Sequence, residues 1–365
     1  MKESDRKALI ALPVVVLIGA LVAVAGSQGG ATLGGIPVFA MAVGAAFLIQ
    51  WLAFIPSFAA QTEKFYDLTG TLTYTAITLL LIVLTPGIDA RALLLAAMVL
   101  AWTLRLGTFL FRRISKAGKD DRFDEIKPSF IRFLNAWTIQ GLWVVFTAAA
   151  AWVAMTSATR VALDWFALAG FVVWAVGFGI EILADNQKSR FNADPANKGK
   201  FISIGLWAKS RHPNYFGEIL LWIGVAIVAV PTLQGWQWVA LISPVFVALL
   251  LTKVSGVPLL EKKSDSKWGG QEDYEAYKKN TPVLIQAHAP PLFLLPASIP
   301  SEDLAPAAMG CNSGSRHTEL TDSTRGKSTI LGKMQVDQLL LKETHGHEHC
   351  RKHHPSTEGC TGRAD

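Results

Sequence analysis

Long apolar runs, each close to the length of a bilayer crossing, constrain this chain more than any other feature. A helix needs roughly 20 predominantly apolar residues to cross the hydrocarbon core, and in lipid its backbone groups must be satisfied internally. Residues 8–25, 36–60, 72–86, 91–111, 136–157, 163–184, 216–233 and 236–254 read as such segments. The last two are separated by almost nothing and can form a helical hairpin. The expected fold is therefore an all-α polytopic membrane bundle of about seven to eight transmembrane helices. Composition agrees, since 51% of residues are hydrophobic and only 17% charged, which argues against two soluble domains. The first run follows Lys2, Arg6 and Lys7, and Ala23-Val24-Ala25 resembles a signal-peptide cleavage site. Its near-span length favours a resident helix over a cleaved leader.

Charge placement sets the expected orientation. Lys and Arg cluster after the fourth run (Arg112, Arg113, Lys116, Lys119, Arg122, Lys127, Arg132), after the sixth (Lys188, Arg190, Lys198, Lys200, Lys209, Arg211) and after the eighth (Lys253, Lys262, Lys263, Lys267, Lys278, Lys279). The alternate connections offer Arg91 and Arg160. The positive-inside rule then puts both termini and the basic loops in the cytoplasm, and the three richest polar segments on one face. The net charge of +6 reports topology and attraction to anionic membrane lipid rather than nucleic-acid binding. A bacterial inner membrane and the endoplasmic reticulum fit equally, and the oligomeric state is left open.

The chain divides into a first span and connection (1–35), a membrane domain (36–287) and a tail (288–365) whose Pro, Ser, Thr and Gly content reads as disorder. The tail holds Cys311, Cys350 and Cys360, an odd count without framework spacing, so disulfides are not expected to hold the fold. His345, His347, His349, His353 and His354 form a local run that favours adventitious metal binding, and no structural or catalytic metal is expected. Gly177-Phe178-Gly179 lacks the third glycine of a dinucleotide fingerprint and suits close helix packing.

Chemistry concentrates in a few places. In residues 205–218, Lys209, Arg211, His212, Asn214, Tyr215 and Glu218 stand at the mouth of an apolar helix that continues to Trp222. An interfacial belt would account for Trp207, Tyr215 and Trp222 at headgroup level. So many functional groups in so short a stretch read instead as a binding site. Glu181 and Asp185 share one helical face by their i,i+4 spacing, and either serve a ligand or pair with nearby lysines. Asn197-Lys198-Gly199-Lys200 followed by Arg211 and His212 suits phosphate recognition. Arg105 lies inside the fourth run and needs a partner or a polar ligand. Gln50 lies mid-span, and Glu63, Tyr66, Asp67 and Tyr74 gather around the third run.

From roughly residue 47 to 282, these motifs resemble the uncharacterised membrane branch of the steroid 5α-reductase superfamily. The resemblance rests on Glu63-Lys64-Phe65-Tyr66-Asp67-Leu68-Thr69-Gly70, Leu104-Arg105-Leu106-Gly107, Phe111-Arg112-Arg113 and Gly118-Lys119-Asp120-Asp121-Arg122-Phe123. It continues through Glu181, Ala184-Asp185-Asn186-Gln187, Asn197-Lys198-Gly199-Lys200, Arg211-His212-Pro213-Asn214-Tyr215-Phe216-Gly217-Glu218, Lys253 to Glu261 and Tyr274-Glu275-Ala276-Tyr277.

The resemblance implies an NADPH-dependent reductase of a carbon–carbon double bond in a hydrophobic, lipid-like or steroid-like enone that enters from the bilayer. It implies that the C-terminal half, about 160–287, grips NADPH, through Asp185, Asn214, Tyr215 and Glu218 together with Arg105, Arg112, Lys200, Arg211, His212 and Trp222. On the substrate side it implies Gln50, with Tyr66, Asp67, Tyr74 and Glu63 as candidate donors. Trp51 stands where steroid-reducing members carry Glu, which departs from their pattern. One alternative is an isoprenylcysteine-type S-adenosylmethionine-dependent methyltransferase, which shares an Arg-His-Pro-x-Tyr motif and a late Tyr-x-x-Tyr. Another is a non-catalytic lipid- or sterol-binding membrane protein.

Overall fold

The computed structural model describes residues 2–114 and 123–284, with side chains in the first stretch described as far as residue 108. The tail 288–365, its His-rich run and the loop 115–122 lie outside the described residues. Helices α1 (Glu3–Ser27), α2 (Val38–Ala59), α3 (Tyr66–Leu84), α4 (Ala90–Ile114), α5 (Phe130–Thr156), α6 (Trp165–Ala193) and α7 (Pro213–Ala229) are continuous. The next apolar segment is broken: a 3-10 stretch (Gly235–Leu241), α8 (Ile242–Leu249), a π turn (Leu250–Val254) and α9 (Gly256–Trp268). A short polar helix, α10 (Glu272–Asn280), follows. Among the described residues eight helical segments are long and apolar enough to cross a membrane, so the chain is an all-α polytopic bundle.

The boundaries differ from the hydropathy reading where polar side chains serve the helix itself. α3 begins at Tyr66, six residues before the expected start at Leu72, and this added turn and a half is rich in threonine. The hydroxyls of Thr69, Thr71 and Thr73 donate to the carbonyls of Phe65, Asp67 and Thr69 at 2.8, 3.3 and 2.7 Å. Threonine thus satisfies its own hydroxyl on the preceding turn and is tolerated at depth. The break between α8 and α9 has its own cause: a Cβ on Gly256 would lie 2.2 Å from the Leu251 carbonyl oxygen, so only glycine follows this π turn.

α5 is the axis of the bundle. Of its most apolar window 89% is buried, against 28–56% for the other spans. The small run Ala148-Ala149-Ala150-Ala151 is wholly buried and lets its neighbours close in. α1 packs on α2 and α5, with the Phe47 ring over Gly19 and the Phe39 ring over Gly26. Its link to α2 is a two-residue hairpin, β1 (Thr32–Leu33) and β2 (Ile36–Pro37), turned by Gly34 and Gly35 at φ 58° and 82°.

α6 and α7 make the most extensive pairing in the bundle. Two glycines on each, seven residues apart, face each other: Gly170 and Gly177 against Gly224 and Gly217. A Cβ on Gly224 would lie 2.6 Å from the Gly170 carbonyl oxygen, so the backbones touch. Gly177 therefore acts in packing, while Gly179 has open space beside it.

At the opposite end of these helices Arg91 is almost wholly buried at the start of α4. Its guanidinium donates to the carbonyls of Val161, Ala162 and Val228 at 3.1, 2.7 and 2.8 Å, and pairs with Asp164 at 2.7 Å. One side chain thereby ties α4, the α5–α6 connection and the end of α7.

Candidate functional site

The glycine contact between α6 and α7 sets the site, because Gly217 also packs on the backbone of Glu181. Glu181 and Asp185 project one turn apart from α6, and both accept from the Arg105 guanidinium of α4. Their shared face is thus used on Arg105. On α7, Asn214, Glu218 and Trp222 fall at i, i+4 and i+8 and form one stripe. Trp222 meets Trp102 of α4 edge to face, with ring centroids 5.1 Å apart, and Arg105 follows Trp102 by one turn. Glu218 stands within electrostatic reach of Arg105, Asp185 and Tyr74. Three helices therefore deliver one cation and three carboxylates to a single buried locus, which without exchangeable partners would be costly inside a bilayer.

That locus borders a cavity of about 60 Å³ among α3, α4 and α5. Asp67, Thr71, Tyr74, Trp102, Leu106 and Gln140 are among its lining, and Arg105 precedes the wall residue Leu106 in α4. Of the expected substrate-side residues, Asp67 and Tyr66 line this cavity and Gln50 does not. The Gln50 amide donates to Thr73 at 2.7 Å and joins α2 to α3. The Tyr66 hydroxyl donates to the Ala136 carbonyl at 3.0 Å, its ring packed against Phe123 and Trp137. Glu63 is paired with Lys127 at 2.5 Å. Tyr74, buried against Trp102, is the tyrosine that faces the α7 stripe.

The Arg211-His212 pair forms a second layer. Their backbone N–H groups donate to the carbonyls of Pro282 and Val283, bringing the end of the chain described here under the mouth of α7. Glu261 of α9 takes both side chains: Arg211 Nη1 lies 3.1 Å from Oε2, and His212 Nε2 lies 2.8 Å from Oε1. The His212 ring stacks on Tyr215, centroids 5.6 Å apart at 12°. Burial pushes the His212 imidazole below its ordinary pKa, and Glu261 pulls the other way. With Nε2–H donating to Glu261, Nδ1 is left as a buried acceptor. The Asn214 Oδ1, Glu181 Oε2 and Trp222 Nε1 atoms are likewise buried without a partner. Buried polar atoms are normally satisfied, so four such atoms around one locus suit a polar ligand.

Lys200 stands exposed on the loop after α6. The Arg112 side chain lies outside the described residues. No group of His, Cys, Asp and Glu among the described residues is arranged to hold a metal ion.

Residues 53–281, well over half of the chain, match the family described as "Protein of unknown function (DUF1295)". The chain belongs to the DUF1295 family. It is also similar to the "Probable O-methyltransferase ustE" of Ustilaginoidea virens, at 33% identity over 66 residues. That match covers 18% of this chain and 23% of the relative, so the DUF1295 chain spans about a quarter of that protein's length. No solved structure matches the chain.

Within this DUF1295 chain three participants had no sequence signal of their own. Glu261 closes the Lys253 to Glu261 motif but carries no sign of its His212 partner, Gln140 is one amide in a long span, and Trp102 looks like any core aromatic. Each becomes visible only when α4, α5 and α9 are packed.

Proposed function

We propose that this protein is a membrane-embedded, NADPH-dependent reductase of a carbon–carbon double bond in an apolar enone. The observation that carries the reading is the adjacency of two unlike environments. An aromatic cavity inside the bundle abuts a locus with one guanidinium, three carboxylates and four unsatisfied polar atoms. An apolar substrate suits the first and a soluble, hydrogen-bonding cofactor suits the second. The superfamily resemblance of the α7 mouth and of the Asp185 segment supports the same assignment.

When bound, NADPH would supply the hydride for the β-carbon of the enone, with negative charge developing on the carbonyl oxygen. The chain's residues hold the two reactants and manage the charge. Asn214, with His212 Nδ1, offers hydrogen bonds at the mouth of α7. Arg105 keeps Glu181 and Asp185 ordered. The Tyr74 hydroxyl, in the cavity wall, donates to the oxygen on which negative charge develops, an interaction worth about 3 kcal/mol in comparable sites. A proton delivered to the α-carbon completes the saturated product. In this reading Tyr66, whose hydroxyl donates to Ala136, shapes the cavity, and Gln50 braces α2 on α3 through Thr73.

The partial match to a probable O-methyltransferase supports a second reading, in which the same mouth holds S-adenosylmethionine. The two are separated by assaying purified protein in lipid nanodiscs with a panel of hydrophobic enones. Enone-dependent NADPH oxidation, lost in Tyr74→Phe, supports reduction. Methyl transfer from S-adenosylmethionine to a lipid acceptor, without NADPH consumption, overturns it.

A further inference from the structure

The wall of the cavity among α3, α4 and α5 holds a polar group that the proposed reaction does not use. Gln140 lines this cavity and follows Phe130, the first residue of α5, by ten positions. That is a rise of roughly 15 Å, half-way across a hydrocarbon core of roughly 30 Å. An unmet amide is expensive at such depth. The Gln140 Nε2 donates to the Tyr66 main-chain carbonyl at 3.1 Å, whereas Oε1 is buried with no hydrogen-bond partner. The two ends of the amide cannot be exchanged. A carbonyl can only accept, so the NH2 group must face Tyr66 and the oxygen is left over.

Glycine makes room for this amide. A Cβ on Gly70 would lie 2.6 Å from the Gln140 Nε2, so the side chain of α5 rests on bare backbone of α3. Gly70 and Tyr74 both line the cavity, and four residues separate them by roughly 6 Å along α3. One wall thus carries an acceptor fixed at Gly70 and, a turn further on, the Tyr74 hydroxyl. Trp102, Leu106, Trp143 and Val144 add apolar surface around them. The cavity is open rather than sealed, so its volume bounds the polar head of a ligand and not its whole length.

We propose that Gln140 determines specificity, its Oε1 accepting from a hydroxyl of the substrate, so that the substrate is a cyclic hydroxy-enone rather than a bare enone. The proposal rests on the reductase reading and deepens it by naming the substrate's second polar group. With the carbonyl oxygen at the Tyr74 hydroxyl, a hydroxyl that reaches Oε1 stands across a six-membered ring from that carbonyl. The chemistry of Oε1 selects the group. An ether or a second carbonyl can only accept and leaves the atom unmet, while an ammonium brings an unpaired charge into the bundle. A water molecule held at Oε1 would also satisfy it, but would give a substrate hydroxyl no advantage.

Isophorone and 4-hydroxyisophorone are cyclic enones that differ in this one group. Their binding to the full chain in nanodiscs of neutral lipid, without NADPH, is followed by tryptophan fluorescence, and their turnover with NADPH is measured separately. A hydroxyl prefers water, so without a partner in the cavity it weakens binding. We expect 4-hydroxyisophorone to bind about tenfold more tightly than isophorone. The preference should vanish in Gln140→Met, with affinity for isophorone retained; a purely structural role would weaken both ligands alike. Gly70→Ala displaces the amide without removing it and should erase the same preference, which keeps the test decisive if Gln140→Met does not fold. No binding of either enone, equal binding of the two, or a preference that survives in either folded variant overturns the proposal. A Gln140-dependent preference without NADPH oxidation leaves the hydroxyl site standing and counts against the reductase. NADPH oxidation with equal efficiency on both enones does the reverse.

Discussion

Gly177 of α6 and Gly217 of α7 meet backbone to backbone: a Cβ on Gly217 would lie 2.6 Å from the Gly177 carbonyl oxygen and 2.7 Å from the Glu181 nitrogen. Neither obstacle is a side chain that can swing aside. Gly217→Ala must part the two helices, and overpacking of this kind costs about 1–3 kcal/mol. Gly179→Ala enters open space and removes a helical glycine, so it should be neutral or stabilising by about 0.5–1 kcal/mol. Unfolding curves in detergent compare the two. Equal effects would show that α6 and α7 do not touch as described.

The Arg105 cluster gives a second prediction. Arg105→Met leaves Glu181 and Asp185 facing each other without their cation, and breaking a buried pair from one side costs about 3–5 kcal/mol. Adding Glu181→Gln and Asp185→Asn to that variant should recover much of the loss, because the stranded charges go with it. If the triple variant is no more stable than Arg105→Met, the three side chains are not one unit.

Arg91 provides a contrast, since its work is structural. Arg91→Met strands the carbonyls of Val161, Ala162 and Val228 together with the Asp164 carboxylate. Orphaned buried acceptors cost about 1–3 kcal/mol each, so a loss of at least about 3 kcal/mol is expected. Below the lowered Tm, affinity for the proposed cofactor should be unchanged, because Arg91 lies at the far end of α7. A selective loss of affinity with normal stability would contradict this placement.

How much of this the amino-acid sequence carried depends on which force writes the pattern. Apolar length is written residue by residue, so the eight crossings were legible, and the i,i+4 spacing of Glu181 and Asp185 put both on one face before any partner was known. Hydropathy falls short over 66–71, where threonine hydroxyls bond inside their own helix but count as solvent-seeking. The eighth apolar run, 236–254, reads as one unbroken helix because a π turn leaves no compositional mark beyond Gly256. Pairings between distant elements, such as Glu261 with His212 or Gln50 with Thr73, depend on packing and have no local signature.

His212 supplies a pH prediction. Burial lowers its folded pKa, with Glu261 opposing and Lys188 and Arg211 adding to the shift. The unfolded chain therefore takes up this proton first as pH falls. Its stabilising contribution is complete above the unfolded value near about 6.5 and is lost as pH falls through the folded value. His212→Gln should flatten the stability profile in that window. Acidification through it that stabilised the native protein would have the wrong sign.

The central claim is that the mouth of α7 receives NADPH, and thermal unfolding of the purified protein with NADPH or with S-adenosylmethionine tests it most directly. At a ligand concentration about 100 times Kd, binding stabilises by about 2.7 kcal/mol, a shift readily seen. The account predicts a raised Tm with NADPH, none with S-adenosylmethionine, and loss of the NADPH shift in Asn214→Ala and in Glu218→Ala, each folded on its own. Protection by S-adenosylmethionine with no response to NADPH would contradict it.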